Sequence, residues 1–398
     1  MASPPLPSPT TAQWLLGDEA ATVLADIADA TLSPAAIEKL RKQLGGPDAA
    51  PRAAAAFELA ELRHRATNKF TRAAEMFFTR KALEQSTDEW IARYKAQRLS
   101  AHQTLVDACC GLGGDLVGNL TGRPKGVDSD PLLAAYAGRN AEVYGVEATI
   151  STTTLAADNL PECDAWHADP DRRVGGRRSS QPDLHEPTLA TLAAWRRRTP
   201  AAAIKLAPAA QLPDDWQAEC ELEWISRAGE CRQLVAWAGP LAHDPGQRRA
   251  TKVHSDGTAA TFLGDSNAAC GLAGQLGAYI HDFDPAILAA GLDSALAARH
   301  ALSRCATRVA YFTSDTAVDD PLVASFRVVE VAPLSRKRLA NWIREHNVGT
   351  LEIKCRGVDV RPEALRRELK PQGDASATLL IFPDHRGKPI VVIAERPL

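Results

Sequence analysis

One stretch constrains this chain more than any other: Val106-Asp107-Ala108-Cys109-Cys110-Gly111-Leu112-Gly113-Gly114-Asp115. A short apolar run ends in an acid and enters a glycine-rich turn. A second run, Lys125-Gly126-Val127-Asp128, ends in another acid. Strand, glycine turn, helix, then an acid closing the next strand is a nucleotide-binding arrangement. The glycines let the backbone approach a ligand closely, and a helix N-terminus offers unpaired N–H groups. A dinucleotide fold requires G-x-G-x-x-G, but Leu116 occupies the third glycine position.

The turn fits D-x-x-x-G-x-G instead, with Asp107 already inside the strand end. An acid there suits a ligand bearing an ammonium group, as the methionine half of S-adenosylmethionine (SAM) does. Asp128, at the next strand's carboxyl end, is placed to accept both ribose hydroxyl protons. Asp158, after the third strand, is placed to accept from an adenine amino group. Each acid alone reads as a turn residue or helix cap; together with the glycine turn they point to SAM. Cys109 lies inside the turn and is grouped with the cofactor-binding residues, although packing is the plain reading of Cys109 and Cys110.

Around this stretch the pattern is α/β. Strands are expected over 104–108, 125–128, 148–155, 164–168 and 201–207, followed by a hairpin over 220–226 and 231–237 turning at Ala228-Gly229. Asp130-Pro131 supplies the N-cap and first position of a helix that stops at Gly145. Five such strands finished by a hairpin form a doubly wound, Rossmann-like sheet. The expected division is 1–12 disordered, 13–100 a helical N-terminal region, 101–267 the cofactor domain, 268–320 a helical connector and 321–398 a small α/β domain. Within 70–99 an amphipathic helical region is expected, with Arg72, Arg80, Lys81, Arg93 and Lys95 on a solvated face.

The run Val106 to Gly114, with Gly126-Val127-Asp128-Ser129-Asp130-Pro131 and Arg139-Asn140-Ala141-Glu142-Val143-Tyr144-Gly145, resembles class I SAM-dependent methyltransferases. Within that class it is similar to the RNA cap guanine-N2 methyltransferase (trimethylguanosine synthase) group. The similarity to bacterial methyltransferases ending in a THUMP-like domain extends to Phe77-Phe78-Thr79-Arg80 through Gln85, and to Leu351-Glu352-Ile353-Lys354-Cys355-Arg356-Gly357-Val358. The resemblance implies that Asp107, Gly111, Gly113 and Gly114 border the methionine moiety, Asp128 the ribose and Asp158 the adenine.

The fourth strand closes on Ala168-Asp169-Pro170-Asp171-Arg172-Arg173. Amino-methyltransferases carry Asp/Asn-Pro-Pro-aromatic here. The carboxylate and a backbone carbonyl accept from the exocyclic amine and aim its lone pair at the methyl, which is catalysis by positioning. Asp169 and Pro170 are the candidate catalytic pair. Asp171 and Arg172 replace the second proline and the aromatic, so the base-stacking ring is missing from the motif. Trp166 is the candidate substitute, with a core-facing tryptophan as the alternative. Asp-Pro-x-Arg also resembles RNA C5-uridine enzymes, which require a nucleophilic cysteine that no local context here identifies. Arg172, Arg173, Arg177 and Arg178 surround Gly175-Gly176 on the expected ligand edge and are candidate RNA-phosphate contacts. Lys205, ending the fifth strand, is a further candidate substrate contact.

The formal net charge is -3, which leaves no overall nucleic-acid footprint, so RNA must be held by a local basic patch. The histidines show no H-x-E or H-E-x-x-H spacing, and no metal is expected. Eight cysteines without C-x-x-C spacing, no export signal and no long apolar run point to a cytoplasmic protein rather than a membrane one. The leading expectation is a SAM-dependent RNA methyltransferase acting on guanine in tRNA or rRNA. A non-catalytic SAM- or RNA-binding protein, and a methyltransferase for a small molecule or protein, stay open beside it.

Overall fold

Ser33-Pro34 shows how the N-terminal part of the chain turns into helices. The Ser33 hydroxyl accepts from the Ala36 N–H, and Pro34 occupies a first-turn position whose N–H would have no partner. The computed structural model describes residues 7–28, 30, 31, 33–118, 122–170, 173, 174, 177, 178 and 185–396, the side chains of 173, 174, 177 and 178 excepted. The first helices are Pro9–Leu15 (α1), Asp18–Asp26 (α2), Pro34–Leu44 (α3), Ala49–Ala66 (α4), Arg80–Gln85 (α5) and Glu89–Leu99 (α6). Helix α1 begins inside the stretch expected to be disordered, because Ser8 caps it and Pro9 starts it; residues 1–6 lie outside the described residues. The expected helical region over 70–99 is interrupted: 70–79 is non-helical, and Thr79 and Asp88 each cap a fresh helix.

The chain divides into two compact units, Met1–Leu222 with Gln233–Gly246 and Val253–Ala259, and Glu223–Arg232 with Gln247–Lys252 and Ala260–Leu398. The five parts expected from sequence are finer: the helical region 13–100 falls inside the first unit and the small α/β domain 321–398 inside the second. The N-terminal helices form no domain of their own. Phe57, Phe70, Met76, Phe78 and Leu83 share one buried cluster with Leu112 and Val117 of the glycine turn and with Tyr136. Burying these side chains against the turn, at about 25 cal/mol per Å² of apolar surface, ties the helices to it.

In the first unit the strands Leu105–Ala108 (β1), Lys125–Asp128 (β2), Thr149–Thr152 (β3), Ala165–Ala168 (β4) and Ala202–Leu206 (β5) are parallel, in the order β3-β2-β1-β4-β5. The hairpin of Glu221–Arg227 (β6) and Glu230–Ala238 (β7) follows, and β7 runs antiparallel to β5. Its turn residues Ala228 and Gly229 both have positive φ, 51° and 79°, the geometry whose twist matches two flanking strands. Strand β1 pairs with β2 on one side and β4 on the other. The order therefore reverses between β1 and β4, and a crevice opens beyond their carboxyl ends. Helix Pro131–Val143 (α7) starts at Asp130, whose carboxylate accepts from the Leu132 and Leu133 N–H groups. Helices Leu189–Arg198 (α8) and Asp214–Glu219 (α9) complete the unit.

Arg248–Val253 (β8) and Ala259–Gly264 (β9) flank the turn at Asp256-Gly257. The second unit is built on Tyr279–Phe283 (β10), Ser303–Arg304 (β11), Tyr311–Ser314 (β12), Val323–Pro333 (β13), Val348–Cys355 (β14), Ala375–Pro383 (β15) and Pro389–Glu395 (β16). Their order is β11-β12-β10-β13-β16-β15-β14. The stretch 268–320, expected as a helical connector, thus supplies three strands of this sheet besides the helices Pro285–Ala290 (α10) and Asp293–Arg299 (α11). Pairing decides this: Tyr279 to Phe283 bond to both β12 and β13, which local composition does not reveal. Helices Arg336–Glu345 (α12) and Pro362–Leu369 (α13) cover one face through Leu339, Ile343, Leu365 and Leu369. Tyr311, Phe326, Phe382 and Val392 fill the other.

Candidate active site

The glycine turn is held from both sides. Cys110 N–H donates to the Val127 carbonyl at 3.0 Å, and Gly113 N–H to the Cys110 carbonyl at 2.8 Å. Among the described residues the turn passes into one 3₁₀ turn, Leu116–Gly118, instead of the regular helix expected. The reason is close packing: a Cβ on Gly118 would fall 2.3 Å from the Ala92 backbone of α6. The glycines are also unequal. A Cβ on Gly113 would meet Ala137 of α7 at 3.3 Å, and one on Gly114 would meet the Thr87 carbonyl at 2.9 Å. Gly111, with φ +56°, has nothing within 4 Å of that position among the described residues, its chain neighbours aside. Gly113 and Gly114 admit protein neighbours, whereas Gly111 leaves its side open to a ligand.

Asp128 lies at the β2 carboxyl end as expected. One carboxylate oxygen accepts from the Gly111 N–H at 2.8 Å and the other from the Asp130 N–H at 2.9 Å. Burial pushes its pKa up, while these backbone donors pull the other way. Each oxygen keeps a second lone pair for a diol. Cys109 sits beside Gly111 with φ +61°, half-buried. Asp158 is not drawn into this group. It is exposed in the turn after β3, and its carbonyl accepts from Arg198 at 3.0 Å.

Asp107 is brought to the site but turned inward. It is buried, and His167 Nδ1 lies 2.7 Å from its Oδ1. Its Oδ2 is buried without a hydrogen-bond partner among the described residues. Burial raises the Asp107 pKa, against the pull of His167. His167 Nε2 lies 3.1 Å from Lys95 Nζ, and Lys95 Nζ lies 2.5 Å from Asp115. Thr87 donates to the other Asp115 oxygen at 2.7 Å. Burial would raise Asp115, but Lys95, His167 and Lys205 hold it well below the carboxylate range.

Lys95 therefore corrects the expectation of a solvated basic face. It falls on the buried stripe of α6 with Ile91, Ala92 and Leu99, and is itself only 2% exposed. The sequence reading missed Lys95, His167 and Asp115 as site residues. A lysine on a helix's apolar stripe and a histidine inside the apolar strand Ala165-Trp166-His167-Ala168 were the signals available.

Asp169 ends β4 at the crevice, its N–H donating to the Ala108 carbonyl of β1 at 3.3 Å. Lys205, buried on β5, donates to Asp169 Oδ2 at 2.6 Å and to the Gln85 carbonyl at 3.0 Å. Two residues expected separately, as acceptor-positioning acid and substrate contact, are thus one ion pair, and Lys205 orients Asp169. Pro170 is buried beside it. Trp166 is not a stacking platform: it is fully buried, edge-on to Trp195 at 5.4 Å, with its indole N–H on the Thr199 carbonyl. Strand alternation and the cover of α8 turn it into the core. Asn140 is buried too, bonding Phe77 through both its amide groups and the Leu112 carbonyl. Its place in the guanine-N2-like run is explained by clamping the N-terminal region to the glycine turn. Asp171 and Arg172 lie outside the described residues. Arg173 and Arg178 pair as backbone in a short two-stranded ladder with Val174 and Arg177, their side chains outside the described part. No group of three or more His, Cys, Asp or Glu among the described residues is placed to hold a metal ion. No helix among them is long and apolar enough to cross a membrane.

An open glycine cradle at a switch point, a strand-end carboxylate beside it and an ion-paired acid at the crevice are the arrangement expected of a class I methyltransferase. Comparison with known proteins agrees. The chain is 31% identical over 313 residues to uncharacterized S-adenosylmethionine-dependent methyltransferases of Mycobacterium tuberculosis strains CDC 1551 / Oshkosh and H37Rv, covering 77% of this chain and 85% of each relative. The crystal structure of an inferred methyltransferase from Porphyromonas gingivalis W83 shares the fold, with a TM-score of 0.75, 21% identity and coverage of 96% and 99% of the two chains. A family described as THUMP domain-like matches residues 323–396. The chain belongs to the SAM-dependent methyltransferases, and SAM is its cofactor. The open side of Gly111 and the spare lone pairs of Asp128 fit that group.

Proposed function

We propose that this enzyme methylates an exocyclic base amine of RNA in the cytoplasm, with guanine N2 the favoured acceptor and tRNA or rRNA the favoured substrate. Asp169 carries the reading: an acid partly exposed at the crevice, fixed by Lys205, with Pro170 behind it. SAM supplies an electrophilic methyl group on a sulfonium and departs as a neutral thioether. Asp169 accepts a hydrogen bond from the acceptor N–H, directs the nitrogen lone pair, and receives or passes on the proton released as the N–C bond forms. Asp107, Cys109, Gly111, Gly113, Gly114 and Asp128 are proposed to line or shape the cofactor side.

RNA as the substrate is supported by charge. Residues 323–396 hold fourteen lysines and arginines against nine aspartates and glutamates, within a chain of net charge -3. Such a patch neutralises phosphates locally. All eight cysteines are free thiols, which suits a reducing compartment. Arg172, Arg173, Arg177 and Arg178 are proposed to hold the strand near Asp169. Changing Arg177 and Arg178 to Ala should weaken RNA binding, reduce the salt slope by roughly 0.7 per lost phosphate contact, and leave SAM affinity intact. An unchanged slope moves the RNA path elsewhere.

Asp171 and Arg172, standing where proline and an aromatic belong, favour one second reading, SAM and RNA binding without transfer. The deciding experiment incubates the protein with methyl-labelled SAM and RNA from cells lacking the gene, then separates the nucleosides. Labelled N2-methylguanosine supports the proposal. Label on another nucleoside moves the acceptor atom, and none at all leaves the non-catalytic reading.

A further inference from the structure

Beneath the glycine turn runs a chain of buried polar groups that the methyl-transfer chemistry does not itself use. Lys95 reaches from α6 to His167 of β4, and His167 reaches Asp107 of β1, at 3.1 and 2.7 Å. Lys95, His167 and Asp107 are each no more than 3% exposed. An ammonium has three donors and no acceptor, so it can face an imidazole nitrogen only where that nitrogen presents its lone pair. Lys95 therefore leaves His167 Nε2 without a proton and places the ring proton on Nδ1. From there it can only be donated to Asp107 Oδ1. Second partners that set a histidine's tautomer in this way also fix its ring orientation.

We propose that Lys95 and His167 are positioning residues of the cofactor site, with Lys95 selecting the Nδ1–H tautomer that locks the carboxyl end of β1 to that of β4. The lock spans the switch point. On its β1 side the chain enters the turn that Gly111 opens to SAM. On its β4 side Asp169 follows His167 by two residues. If the Lys95 donor is lost, nothing anchors Nε2, and the imidazole is free to turn or to take a second proton there, so that its Nδ1–H is no longer held in place on Asp107. The two strand ends are then tied less firmly, and the cofactor cradle loses its register with Asp169. The N-terminal helices thereby contribute to cofactor binding through α6. Thr87, on Asp115, braces the same lysine from the loop between α5 and α6.

The test separates donor from charge in the full-length protein. Lys95→Met removes both, whereas Lys95→Gln keeps an N–H donor toward Nε2 without the charge. Nitrogen-15 NMR of labelled histidine reports the tautomer, and calorimetry reports SAM affinity. Wild type and Lys95→Gln should both show the Nδ1–H tautomer and bind SAM within about threefold of each other. Lys95→Met should lose that tautomer and bind SAM at least tenfold more weakly while retaining its far-UV circular dichroism. An Nε2–H signal for His167 in the wild type would overturn the proposal. So would wild-type SAM affinity in a folded Lys95→Met, or equal losses in both variants. Should Lys95→Met fail to fold, the wild-type tautomer and the Lys95→Gln affinity still decide the question.

Discussion

Two neighbouring strands of the first unit end in aspartates, and the two carboxylates have opposite fates. Asp107 of β1 is sealed beneath the glycine turn against His167, its side chain 4% exposed. Asp169, just past β4, has a side chain 23% exposed and pairs with Lys205 at the crevice. A carboxylate's position at a strand end says that it lies near the ligand; the neighbour across the sheet says which way it points. Strand β4 offers Asp107 a histidine inside the core, while β5 offers Asp169 a lysine at the rim. The sealed acid is suited to holding shape, and the open one to meeting a substrate.

The largest effect should come from breaking the sealed acid. Asp107→Ala leaves the buried His167 ring N–H without its carboxylate partner. Removing one member of such a buried pair costs about 3 kcal/mol or more, measurable by urea unfolding. Stability within about 0.5 kcal/mol of wild type would mean that the buried chain contributes little and that the contrast with Asp169 is only one of exposure.

Next in size, Asp169→Asn keeps an acceptor for Lys205 and so preserves the fold and SAM affinity. Turnover should nevertheless drop by about 100-fold, because an acceptor amine that is poorly aimed forfeits the positioning advantage. A loss of SAM affinity instead of turnover would make both acids structural and erase the distinction drawn here.

The smallest expected effect compares two glycines of the turn. Gly111→Ala adds a methyl group where no other described residue beyond its chain neighbours lies within 4 Å, so its stability cost is the left-handed backbone strain of about 1 kcal/mol. SAM binding should suffer more than folding. Gly113→Ala adds the same strain and a 3.3 Å approach to α7, so folding should suffer first. If the two variants show the same balance of binding and stability losses, the open side of Gly111 is not the ligand's side.

Much of this was legible from sequence because local chemistry enforces it. The Asp130-Pro131 helix start, the Pro362–Leu369 helix and the Ala228-Gly229 turn appear where caps, proline and positive-φ residues require them. The acids at the ends of β1 and β2 were likewise readable, but Asp158, read together with them, stays exposed outside the group. Trp166 and Asn140 were harder, since a tryptophan or an amide in a motif reads as a contact until its burial is known. The stretch 268–320 misled for a related reason: Gly- and Ala-rich sequence is compatible with helix, and only pairing with distant strands made three of its segments β.

By itself, then, the sequence determined the strand-and-turn order, the glycine cradle and the class of ligand it takes, because those depend on backbone geometry and on residues close together in the chain. The tertiary structure alone decided that Lys95, His167 and Asp107 form one buried chain and that Lys205 serves Asp169. Their partners lie from 36 to 72 residues apart, and a hydrogen bond specifies its donor and acceptor only after folding has brought them within about 3 Å.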